Sequence, residues 1–257
     1  ALRLDKEGAF VWDPAETLIS SVQSNKVHLD MAPYHGGQWV FAWEDDRSDG
    51  VDLYAQNLRT NGTLGNGSEM YSLTIDITGN GTVQYGIRTE DAGSPHFIIC
   101  NNTIGDYSSD NGSAGILIRG SNATAEIGGN LVTITTSDDE AEAAGIEITR
   151  GAEAVILDNN VSGNGLGLVL DSRDNTVTGN VVENNDWGIY LSRSGNSITG
   201  NTIRGNVIGV AAVDRSHNTV TFNRIYDNSL KGVSTALDGT SLTVTHNWWG
   251  VSTVAEV

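Results

Sequence analysis

A single cysteine, Cys100, stands in 257 residues, so the chain has no internal disulfide framework. Basic residues are scarce: 14 Lys plus Arg against 32 Asp plus Glu leave a formal net charge of −18 and a pI near 4.4. Such a surface repels phosphate backbones and anionic bilayers, which excludes nucleic acid as a partner and leaves divalent cations or basic surfaces. No apolar run approaches the ~20 residues that a membrane-spanning helix needs. No basic-then-apolar leader opens the chain, and its first residue, Ala1, suits a mature chain after signal cleavage as well as an excised fragment. Also missing are a nucleophile elbow, a phosphate-cradling glycine loop and a Cys/His metal pattern. The five histidines (His28, His35, His96, His217, His246) and two methionines include no pair at copper-ligand spacing.

Asparagine, in contrast, is abundant and segregated. Of the ten Asn between residues 61 and 160, seven open an Asn-X-Ser/Thr sequon: Asn61, Asn66, Asn80, Asn101, Asn111, Asn122 and Asn160. None of the other fourteen does. A glycan needs a solvent-facing Asn, so these seven are expected to be N-glycosylation sites of a secreted chain.

Most of the remaining Asn are periodic. Asn102, Asn130, Asn159, Asn180, Asn201, Asn223 and Asn247 recur in the pattern (Val/Ile)-x-x-Asn-x-(Val/Ile/Trp), at steps of 28, 29, 21, 21, 22 and 24 residues. Five residues on, a second column holds Asn164, Asn185, Asn206 and Asn228. A third holds Gly before an aliphatic residue: Gly86, Gly115, Gly145, Gly167, Gly188, Gly209 and Gly232. Between the columns run short alternating stretches of Val, Ile, Leu and Thr, too short and too β-branched for helices. A step near 21 residues makes one solenoid turn of three strands and three bends. Asn and Gly are expected at the bends because both tolerate left-handed backbone, and stacked Asn amides about 4.8 Å apart can donate and accept along the axis. The looser early coils carry their extra length around 106–115 and 135–145, as rim loops.

Residues 1–65 differ, with three of the six Trp (Trp12, Trp39, Trp43) and a hairpin pattern, QWVFAWEDDRSDGVDLYAQNL, around Arg47-Ser48-Asp49-Gly50. The expected fold is therefore all-β: a right-handed single-stranded parallel β-helix of about seven coils over 66–257, with a β-rich N-terminal cap or docking segment over 1–65.

The columns, clearest in NTVTGNVVENNDWGIYLSRSGNSITGN (175–201) and closing with HNWWG (246–250), resemble the right-handed β-helix repeats of the NosD/CASH group in the pectin-lyase-like superfamily. The resemblance covers about residues 70–250 and implies the fold more firmly than an activity. Such repeats occur in polysaccharide-acting enzymes, in a copper-insertion accessory protein and in archaeal envelope proteins. The segment WEDDRSDGVDLYAQNL separately looks like one blade of a secreted β-propeller.

For chemistry, a lyase or hydrolase on this scaffold needs clustered carboxylates. The possible acids are Asp171 and Asp214, near equivalent bends two coils apart, with Ser192, Arg193 and Arg215 close in sequence; an exposed, solvated face with weak ion pairs explains them as well. Asp138, Asp139, Glu140 and Glu142 form the one group that suits Ca²⁺, although no Gly-marked calcium loop surrounds them. Cys100, expected on the outward side of its strand, is the candidate for an intermolecular disulfide.

These readings favour an extracellular structural glycoprotein of the envelope, a surface layer or sheath, without catalytic residues or a required cofactor. Its expected partners are copies of itself, and polysaccharide in second place. Only VSTVAEV follows Trp248-Trp249-Gly250, which leaves no room for a capping helix; an open strand edge there invites assembly if the native chain ends there. The alternatives are a polysaccharide lyase or hydrolase and a non-catalytic carbohydrate-binding module.

Overall fold

The structure, a computed structural model, describes residues 1, 3–7, 9–12, 16–20, 25–35, 38–45, 52–64, 69–71, 74–76, 85–89, 96–105, 112–134, 143–213, 217–235 and 241–250. Among the described residues there are 25 strands and no helix.

The first three strands, β1 (Lys26–His35), β2 (Gln38–Asp45) and β3 (Asp52–Arg59), form an antiparallel sheet. β2 and β3 pair without interruption from Gln38↔Arg59 to Asp45↔Asp52, bracketing the expected hairpin, whose turn lies outside the described residues. β1 carries a bulge between Val27 and Asp30, where His28 takes a φ of 51°. Around this sheet the N-terminal segment is pinned by Trp12, whose indole nitrogen donates to the Thr60 carbonyl at 2.9 Å while its ring covers Gly62. β3 lies against the strand Tyr85–Arg88, which joins the cap to the solenoid.

From residue 69 onward every strand pairs in parallel with its counterpart one coil later. Sheet I has eight strands, from Glu69–Tyr71 to Leu242–Thr245. Sheet II has seven, from Thr74–Asp76 to Arg224–Tyr226, and sheet III seven, from Tyr85–Arg88 to Lys231–Thr235. The chain visits III, I and II in turn, making a parallel β-helix of seven coils with the right-handed sense that parallel crossovers take. Alternation explains the faces. In the short strands of the later coils one aliphatic points inward: Val177, Ile198 and Val220 in sheet I, and Val182, Ile203 and Ile225 in sheet II, are 0–1% exposed.

Corners hold the rungs in register. In the first Asn column each side-chain amide donates to the next Asn Oδ1, at 2.9 Å for Asn102→Asn130, 2.8 Å for Asn130→Asn159, 2.9 Å for Asn159→Asn180 and Asn180→Asn201, and 3.0 Å for Asn201→Asn223 and Asn223→Asn247. The second column does the same from Asn164 through Asn185 and Asn206 to Asn228. A third ladder, absent from the sequence reading, occupies the remaining corner: Asn175 donates to Asn196 at 2.8 Å, and the Asn196 main-chain N–H donates to Asn218 Oδ1 at 2.8 Å. Apart from the half-buried ends Asn228 and Asn247, all these amides are buried and bonded, which is the condition for polar groups inside a core.

The bends correct two expectations. The Asn of the first column are not left-handed; the residue before each of them is, in an unbroken series of Asn101, Gly129, Asp158, Gly179, Gly200, Phe222 and His246, with φ between 53° and 71°. The glycine column is not left-handed either. A Cβ on Gly167, Gly188 or Gly209 would lie 2.5 Å from the carbonyl oxygen of the next glycine in the column. Close approach of successive rungs, not turn geometry, demands glycine there. At the last rung Gly232 faces the ring of Trp249, at 3.1 Å from the same added atom, so Trp249 takes the place that a following rung holds elsewhere.

Candidate functional site

Sheet III presents an outer face where apolar, aromatic and ionisable side chains meet. In its strands Ala114–Arg119, Ala144–Thr149, Leu166–Asp171, Trp187–Leu191 and Ile208–Ala212 the inward positions are aliphatic and fully buried at Ile116, Ile118, Ile146, Ile148, Leu168, Leu170, Ile189 and Leu191. The register then stacks Leu117, Glu147, Val169, Tyr190 and Ala211 in one outward column. Leu117 and Val169 are buried although they face out; with Ala114 and Ala144 they form a second apolar cluster, flanked by Tyr85, Leu166 and Tyr190. Trp187 and Tyr190 pack with ring centroids 5.3 Å apart.

Glu147 lies inside this apolar column, which no sequence motif announced. Burial pushes its carboxyl above the usual carboxylate range, the charge of Asp171 pushes it further, and Arg119 pulls it back. Asp171, on the neighbouring rung, accepts from Ser192 Oγ at 2.6 Å and from Thr149 Oγ1 at 3.2 Å, and Arg193 Nη2 lies 3.2 Å from it. The sequence had placed Asp171, Ser192 and Arg193 near one another, and the structure joins them directly. Asp214 and Arg215 lie outside the described residues. The only available signal for Glu147 was a lone charge at an outward position between columns of Leu and Val. Chemically, a carboxyl held toward its protonated form beside a second carboxylate and two guanidiniums can donate and accept hydrogen bonds to a polyhydroxylated ligand, with Trp187 and Tyr190 as flat apolar contacts.

Comparison with known proteins adds the family. The model of the family described as "Periplasmic copper-binding protein (NosD)" matches residues 44–256. The chain belongs to the NosD family. No curated protein and no solved structure matches it.

The NosD description names a compartment and a metal, and no reaction. Copper does not suit the described residues of this NosD chain: among them no three of His, Cys, Asp or Glu come together in a group able to hold a metal ion. His96 pairs through Nδ1 with Thr124 Oγ1 at 2.8 Å, and His246 stacks on Phe222 at 5.0 Å. His28, His217 and Met31 are exposed, while the side chains of His35 and Met70 lie outside the described residues. Asp138, Asp139, Glu140 and Glu142, the group considered for Ca²⁺, also lie outside them.

Asn61, Asn101, Asn122 and Asn160 are exposed; Asn66, Asn80 and Asn111 lie outside the described residues. At Asn61 the sequon hydroxyl, Thr63 Oγ1, donates to Asn61 Oδ1 at 2.7 Å. Cys100 is half-buried beside Gly128. Burial raises its thiol pKa above the ordinary value, a backbone hydrogen bond with Gly128 lowers it, and Glu126 raises it. Among the described residues no helix is long and apolar enough to cross a membrane.

Proposed function

We propose that this NosD chain is an extracellular structural glycoprotein of the cell envelope, a stiff rod that assembles with copies of itself in a surface layer or sheath. One observation carries the reading. The sequon residues Asn61, Asn101, Asn122 and Asn160 stand in solvent, whereas the ladder residues, apart from the half-buried ends Asn228 and Asn247, are buried between rungs. One set is available for glycans and the other is committed to stiffness. The periplasmic description of the family and the net charge of −18 support a place outside the cytoplasm. Repeating faces of constant spacing support contact between copies. The test is glycopeptide mass spectrometry on native material together with electron microscopy of the purified protein. Glycans at the four exposed sequons and ordered polymers are expected; bare asparagines and monomers at every concentration refute it.

A second reading, contact with a polysaccharide on sheet III, is favoured by Glu147, Asp171, Trp187 and Tyr190 on one outer face. It is tested by retention on immobilised polysaccharides and by assay for chain cleavage, with Glu147→Gln as the variant. Binding without cleavage makes the face a carbohydrate-binding surface, cleavage makes it an enzyme, and neither removes it.

A further inference from the structure

Sheet I has a different outer face. Its last four rungs read Thr176-Val177-Thr178, Ser197-Ile198-Thr199, Thr219-Val220-Thr221 and Thr243-Val244-Thr245. The register places Thr176, Ser197, Thr219 and Thr243 in one column and Thr178, Thr199, Thr221 and Thr245 in the next. Val177, Ile198 and Val220 between them are fully buried, so both columns point outward, and every member is exposed or half-exposed. The result is a grid of eight hydroxyls, seven of them on β-branched threonine, whose χ1 is stiff. Neighbours are spaced about 4.8 Å across rungs and about 6.6 Å along each strand. Thr199 Oγ1 and Thr221 Oγ1 lie 3.2 Å apart, within hydrogen-bond range.

Three features set this grid apart from an ordinary polar surface. It is uncharged at all eight positions in a chain of net charge −18. Asn ladders bound it on both sides, through Asn175, Asn196 and Asn218 at one edge and Asn180, Asn201 and Asn223 at the other, and side-chain ladders are what suppress sheet twist. Beyond the column that ends in Thr245, Gly179 and Gly200 put no side chain beside the first two of these rungs, while Phe222 and His246 stack on each other beside the last two.

A rigid, uncharged array that alternates hydroxyl and methyl groups at a fixed spacing is complementary to a ligand that is itself a lattice. Charged groups hold their own hydration shells and disrupt ordered water, whereas threonine hydroxyls can occupy positions within it and the methyls can sit in its hollows. The rung spacing is close to the oxygen repeat in the basal plane of hexagonal ice. We propose that the outer face of sheet I from Thr176 to Thr245 is an ice-binding surface.

The test uses the full chain in a nanolitre osmometer, watching single ice crystals for faceting and for a gap between melting and freezing points. Thr199→Tyr raises a ring above the centre of the grid, Thr221→Val removes one hydroxyl and keeps the shape, and Thr202→Tyr on sheet II is the control. Faceted crystals and a measurable gap are expected for the parent and for Thr202→Tyr. The gap is expected to fall at least several-fold in Thr199→Tyr and by a smaller factor in Thr221→Val, with unchanged circular dichroism. An unshaped crystal with the parent protein overturns the proposal, as does a gap that Thr199→Tyr and Thr221→Val leave intact. Retention on crystalline chitin or cellulose without any effect on ice also overturns it and assigns the grid to polysaccharide.

Discussion

The side-chain amide of Asn180 donates to Asn201 Oδ1 at 2.9 Å, and the main-chain N–H of Asn180 donates to the same oxygen at 2.9 Å. Asn201 thus satisfies two donors of the rung before it, while its own amide reaches the Val177 carbonyl at 3.0 Å and Asn223 Oδ1 at 3.0 Å. Replacing Asn201 with Ala strips the acceptor from the Asn180 main-chain N–H, while the Asn180 side-chain amide keeps the carbonyls of Ile156 and Thr178. A loss of about 1–3 kcal/mol is expected, the cost of one unsatisfied buried group. Because a solenoid opens locally, amide hydrogen exchange is the right readout, with fastest exchange expected in the rungs around 176–204.

Two glycines separate close approach from backbone geometry. Gly188→Ala places a methyl 2.5 Å from the Gly209 carbonyl oxygen and 3.0 Å from Asn206 Nδ2. Gly200→Ala meets nothing closer than Thr178 Oγ1 at 3.6 Å but must adopt a φ near 71°. The first substitution is expected to cost about 3 kcal/mol or more by overpacking, the second about 1 kcal/mol as left-handed strain. Chemical denaturation of both variants checks the order, and equal losses contradict it.

Glu147 contributes a pH dependence of definite sign. Its folded-state carboxyl is raised above the ordinary value, first by burial and then by Asp171. The folded chain therefore binds more protons than the unfolded one, and stability falls as pH rises from the ordinary Glu value, about 4.3, through the raised folded value. Glu147→Gln removes that fall, so the variant is expected to gain on the parent between mildly acidic pH and neutrality. Urea midpoints measured from pH 4 to 8 test it; a parent curve parallel to the variant's contradicts the assignment.

Cys100 is expected to react slowly. With its thiol pushed up and half-covered, alkylation by iodoacetamide at pH 7 should lag well behind that of the urea-unfolded chain and accelerate as pH rises. A non-reducing gel of native material shows whether it nevertheless forms a bridge between chains, as proposed from its odd number.

The fold was legible because its constraints are periodic and fall on residue types with few other uses. Asn180, Asn201 and Asn223 recur among aliphatics at steps that only a stacked solenoid keeps. What those residues do was less legible. The sequence reading gave the glycine column to left-handed bends, yet Gly188 is needed because two main chains touch, and a bare residue type does not distinguish the two causes. The third ladder escaped because it is only three residues long, with Ala154 where the next Asn would continue it. Glu147 escaped because its character comes from neighbours on other rungs, Leu117 and Val169, that lie 30 and 22 residues away in sequence.

The central claim is that successive rungs lie directly over one another in parallel register, and spin-label distances test it most directly. Glu126, Val155 and Thr243 face outward in one column of sheet I, with Thr243 five rungs beyond Glu126 and four beyond Val155. At about 4.8 Å per rung, labels are expected about 24 Å apart for the pair 126/243 and about 19 Å apart for 155/243. Distances that do not shrink by one rung spacing between the two pairs would contradict the stacked helix, and with it the ladders and faces built on it.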